Sequence, residues 1–68
     1  MTEAITPLRL KLLRLVSEKP GITRAVLLGL PGVQATDVDY LVTLDLIHER
    51  EVGTYRVSHL GQMALRRS

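Results

Sequence analysis

The chain has 68 residues, no cysteine, no Phe or Trp, and only Tyr40 and Tyr55 as aromatics, so its core must be aliphatic and no disulfide or thiolate-metal site can staple it. Residues 1–68 are expected to form a single domain, because no chain this short holds two cores and no run approaches the roughly 20 apolar residues of a membrane span. A formal charge of +2 with a pI near 9.5 is a mild bias toward polyanions, and residues 1–6 lack the basic-then-apolar pattern of a signal peptide, so a cytoplasmic protein is expected.

Thr6-Pro7 opens the first helix, with Thr6 as N-cap and Pro7 at the first helical position. Leu8, Leu12, Leu15 and Val16 recur at helical spacing, and Lys19-Pro20-Gly21 stops the helix near residue 18. Thr23 caps a short second helix over 24–29, which Gly29 can end in a left-handed conformation. Leu30-Pro31-Gly32-Val33 reads as a turn. Thr36 then caps a third helix over 36–44, with Asp39 three residues on as in a capping box and Val38, Leu41 and Leu44 as its buried stripe. Asp45 is a plausible left-handed stop before Leu46 and Ile47.

The hydrophobic period then changes from helical to alternating. Residues 47–51 and 54–58 form a hairpin around a two-residue tip, Val52-Gly53. Ser58 caps a last helix over 59–67, with Leu60, Met63, Ala64 and Leu65 facing inward and Arg66 and Arg67 suited to its C-terminal end.

Charge is distributed unevenly. No Lys or Arg occurs between Ala25 and Glu49, a stretch that holds Asp37, Asp39, Asp45 and Glu49. All nine basic residues lie outside it.

The order helix, helix, helix, strand, strand, helix resembles the winged helix-turn-helix, an α+β, mainly α fold with three helices, a β-hairpin wing and a C-terminal helix. Three segments carry the resemblance. In Arg24-Ala25-Val26-Leu27-Leu28-Gly29, Ala25 stands where such domains place a small residue for close helix approach, and Gly29 four residues on at the turn. Leu44-Asp45-Leu46-Ile47 stands where the family has a Leu-Gly-Leu-Ile type sequence between recognition helix and wing. Thr54-Tyr55-Arg56-Val57-Ser58-His59-Leu60-Gly61 is similar to the second wing strand entering the last helix in regulators of the multiple-antibiotic-resistance and arsenic-repressor types.

The resemblance implies double-stranded DNA as partner, with the third helix in the major groove and the wing on the backbone. Its outward face would carry Thr36, Asp39, Tyr40 and Thr43, with Gln34 just before it. Gln34 suits adenine, Thr36 and Thr43 suit phosphates or a thymine methyl, and Asp39 can accept from a cytosine amino group. Arg24, Arg50 and Arg56 are the cations expected on phosphates. The third helix departs from the family in having no Lys or Arg, so Asp37 and Asp39 can equally serve helix capping, and Tyr40 can be a packing residue. Arg50 and Arg56 can instead pair across the hairpin with Glu49 and Glu51. The acidic third helix supports an alternative use, as a docking face for a basic protein partner.

Few phosphate contacts predict weak binding by one chain and hence a homodimer. Leu10, Leu13 and Met63, on the first and last helices, are the expected dimer interface. Small size suits a bacterial or phage-type regulator and leaves little room for an effector pocket. No cofactor, metal site or catalytic residue is expected: His48 and His59 have no cysteine beside them, and no nucleophile, base and orienting group occur together.

Overall fold

The computed structural model describes residues 6–67. Residues 1–5, on which much of the signal-peptide expectation rests, lie outside the described residues. Helix α1 spans Pro7–Glu18, strand β1 Ile22–Thr23, helix α2 Arg24–Leu28, helix α3 Ala35–Thr43, strands β2 Ile47–Glu49 and β3 Thr54–Val57, and helix α4 His59–Arg67. The three strands form one antiparallel sheet in the order β1-β3-β2.

Local chemistry starts three of the helices. The Thr6 hydroxyl accepts the Arg9 N–H at 3.2 Å, and that of Thr23 accepts the Val26 N–H at 3.2 Å. Ser58 accepts the Gly61 N–H at 3.0 Å and donates its own proton to the Asp45 carbonyl. One hydroxyl thus caps α4 and fastens it to the turn after α3. That turn needs fastening, because Asp45 sits in the left-handed region at φ 64.

Leu12, Leu13 and Val16 of α1 meet Leu27, Val38, Leu41, Leu46, Ile47 and Tyr55 in an aliphatic core around one phenol ring. Burying an aliphatic side chain of this size is worth about 1.5–3 kcal/mol, so this cluster is the principal driving force for folding.

Several expectations are corrected. The third helix is capped by Gln34, whose N–H donates to the Asp37 carboxylate at 2.9 Å; Thr36 lies one residue inside the helix and is exposed. Gly29 is right-handed at φ −80 and the left-handed glycine of that turn is Gly32, at φ 79, while Ala25 is exposed and Leu27 is the buried residue of α2. Leu44 follows α3 and is exposed, and Leu46 and Ile47 take its place in the core.

The hairpin register differs by one residue. Ile47 pairs with Val57, His48 with Arg56 and Glu49 with Tyr55, so the loop is Glu51-Val52-Gly53, not a two-residue tip. The loop is held by Thr54, whose N–H donates to the Glu51 carbonyl, and by Glu49, whose carboxylate accepts the Gly53 N–H at 2.7 Å.

Helix α4 is rotated from the expected stripe. Leu60 and Met63 are exposed, and the helix packs through Gly61, Ala64 and Leu65. A Cβ at Gly61 would collide with the Leu46 carbonyl and the Val57 side chain and crowd Leu13, so α4 can approach this closely only through glycine. The same approach buries Leu13 completely, which removes it from any dimer interface.

Candidate nucleic-acid interface

Helix α3 buries Val38 and Leu41 and half-buries Asp37 and Tyr40, leaving Ala35, Thr36, Asp39, Val42 and Thr43 exposed. These five follow helical spacing and form one solvent-facing stripe of small side chains, with a single carboxylate at its centre. Gln34 is exposed at its N-terminal end.

Tyr40 does not belong to that stripe. Its ring lies under the Arg9 guanidinium, 4.0 Å from Cζ to the ring centre, and the Arg9 Nε–H donates to Asp37 at 3.0 Å. Asp37 accepts from both Gln34 and Arg9, and these two contacts, the backbone one first, hold its carboxyl below the usual carboxylate range. Arg9 was missed at the sequence level. Its signal was its place in the α1 stripe with Leu12, Leu13 and Val16, where a charge needs a partner.

Arg24 is engaged within the chain. One guanidinium nitrogen donates to the Tyr55 hydroxyl at 2.9 Å and lies 3.3 Å from Asp39, while its backbone N–H donates to the Gly53 carbonyl at 2.7 Å. Tyr55, a second residue the sequence did not single out, is buried in β3. Its hydroxyl, followed by Asp39, holds the guanidinium more firmly protonated than usual.

The wing presents a different face. Arg56 stands opposite His48, and Arg50 stands opposite Thr54, whose carbonyl accepts the Arg50 N–H. The register displaces Glu49 to stand opposite Tyr55. Strand alternation therefore puts Arg50 and Arg56 on one exposed face without a facing carboxylate, and among the described residues neither makes an ion pair. His48 Nε2 lies 3.1 Å from the Asp45 carboxylate.

Leu10 is half-buried on α1, and Met63 is exposed on α4. A groove of about 390 Å3 lies between α1 and the loop after α2, lined chiefly by Leu8, Leu12, Leu15, Leu30, Pro31 and Val33.

No protein-family model matches the chain, and no curated protein does. Among solved structures, the multiple antibiotic-resistance repressor (MarR) of Listeria monocytogenes 4b F2365 superposes with a TM-score of 0.81 at 25% identity, over 91% of this chain and 48% of that one. The fold is a winged helix-turn-helix. In winged-helix terms α2 and α3 are the helix-turn-helix, β2 and β3 the wing, and β1 a short strand that extends the sheet. The chain spans about half the length of that repressor. No helix among the described residues is long and apolar enough to cross a membrane.

Proposed function

We propose that this winged helix is a DNA-binding transcriptional regulator of the bacterial or phage cytoplasm, acting as a homodimer and without enzymatic activity. The observation that carries the reading is the superposition of 91% of the chain on a repressor. Two features of the surface support it. The stripe on α3 is exposed and small enough to enter a major groove, and Arg50 and Arg56 are available to phosphates. In this reading Gln34, Thr36, Asp39 and Thr43 face base edges. Val42 and the threonine methyls suit thymine methyl groups, and the absence of Lys and Arg from α3 removes the commonest guanine contact. Leu10 and Met63 lie on the helices proposed to join two copies.

The test is fluorescence anisotropy of a labelled mixed-sequence duplex titrated with the protein at several salt concentrations. The expected result is affinity that falls steeply with salt, with a log–log slope of about −0.9 per phosphate contact. Absence of binding at low salt would overturn the reading and turn attention to α3 as a docking face for a basic protein.

A further inference from the structure

We propose that Arg24 is the positioning residue and counter-charge of Asp39, the central carboxylate of the exposed α3 stripe, and not a phosphate clamp. The inference rests on the DNA-binding reading and assigns the chemistry of its central residue.

A carboxylate on a recognition helix faces two difficulties. It is repelled by the phosphates flanking the groove, and a short side chain on an exposed face is free to rotate away from the base it should read. The usual remedy, a neighbouring cation on the same helix, is absent, since α3 has no Lys or Arg. Arg24 supplies it from another element. Its guanidinium lies 3.3 Å from Asp39, which makes the pair neutral overall and restrains the carboxylate.

Arg24 is itself held in place. The Tyr55 hydroxyl accepts from the same guanidinium nitrogen at 2.9 Å, Tyr55 is only 2% exposed, and the Arg24 backbone is tied to the wing loop at Gly53. A cation fixed at both ends in this way is poorly placed to swing out to a phosphate. Asp39 keeps free acceptor capacity, because its side chain is 62% exposed and a carboxylate has about four lone-pair sites, of which Arg24 occupies one. Cytosine N4 and adenine N6 are the major-groove donors such an oxygen can accept from. The Arg24 nitrogen also bridges the recognition helix and the wing strand, through Asp39 on one side and Tyr55 on the other.

A double-mutant cycle on the 68-residue chain distinguishes positioning from phosphate contact. R24A, D39N and the R24A/D39N double variant are titrated with a labelled mixed-sequence duplex at several salt concentrations, with thermal unfolding of each as a folding control. The expected result is that R24A weakens binding roughly tenfold in the wild-type background, by leaving Asp39 uncompensated, and has little effect once residue 39 is neutral; coupling of that size is usual for neighbours in one ion-pair network. Tyr55→Phe, which removes only the anchor, should fall between wild type and R24A. An equal loss in both backgrounds, with the salt slope reduced by about one in each, would make Arg24 a phosphate contact and overturn the inference. No effect of R24A in either background would overturn it as well. Failure of every variant and the wild type to bind at low salt would instead remove the DNA-binding reading, and the inference with it.

Discussion

The Arg9 guanidinium carbon lies 4.0 Å from the centre of the Tyr40 ring, and so ties α1 to the flank of α3 beside the exposed stripe. An arginine suits this place where a lysine would not, because its planar fork can stack on the ring while Nε–H donates to Asp37 at 3.0 Å. Replacing Arg9 with Lys should therefore lower the unfolding midpoint, with the lost stack contributing about 0.5–1 kcal/mol. At about 4–8 °C per kcal/mol for a domain of this size, a melting experiment resolves the change. A midpoint equal to wild type would mean that Arg9 is merely resting on the surface.

Asp37 makes the stability of this corner depend on pH. Its folded pKa is depressed, first by the Gln34 N–H and then by Arg9, so the stabilisation is fully present above the ordinary carboxylate value and is lost as pH falls through the lower folded value. Wild type should melt above Asp37→Asn by a constant margin at neutral pH. That margin should shrink once pH drops below about 4. A margin that stays constant down to pH 2 would show that the carboxylate charge has no role at the helix start.

The residues that could be read from the sequence are those whose behaviour is local. Thr6, Thr23 and Ser58 cap helices because a hydroxyl needs only the N–H three residues on. Asp45 stands where the resembling proteins carry glycine, and its φ of 64 gives the physical reason, since few side chains other than Asp and Asn tolerate that backbone conformation. What was not legible depends on distant partners. Strand β1 is two residues long and exists only because β3 pairs with it. The hairpin register was set by Glu49 and Thr54 closing a three-residue loop, which the alternation of 47–51 could not distinguish from a shorter one. Nothing local to Arg24 points away from a phosphate, because its partners, Asp39 and Tyr55, are 15 and 31 positions away.

Gly61 decides how α4 sits, and its substitution should be costly. The nearest atom to an added Cβ is the Leu46 carbonyl oxygen, part of a backbone that also accepts the Ser58 N–H and cannot easily retreat. Gly61→Ala should destabilise by about 1–3 kcal/mol, the usual range for overpacking, despite alanine being the better helix former. Chemical denaturation would read this directly. A stabilised variant would mean that α4 can lift from the sheet without loss.

The position of Ser58 between two elements makes a further stability prediction. Ser58→Ala removes the cap of α4, worth about 0.5–2 kcal/mol, and also the donor to the Asp45 carbonyl. Ser58→Thr keeps the hydroxyl and should recover most of the loss. If Ala and Thr variants unfold at the same denaturant concentration, the hydroxyl is not what holds this junction.

The proposed dimer places its test on α4. Leu60 is 51% exposed and Met63 37% exposed, an apolar pair on a helix otherwise polar toward solvent. Burying Met63 against a second copy would remove that surface from water, and joining two chains would let both recognition helices engage DNA at once, which can raise apparent affinity by about 10²–10⁴ when the geometry fits. Met63→Glu leaves the core untouched, because Met63 does not belong to it. The variant should sediment as a monomer at concentrations where wild type is dimeric, keep its melting behaviour at low protein concentration, and lose a large part of its DNA affinity. A wild type that sediments as a monomer and binds DNA as well as Met63→Glu would make the single chain the working unit, and the exposed pair would then be ordinary apolar surface.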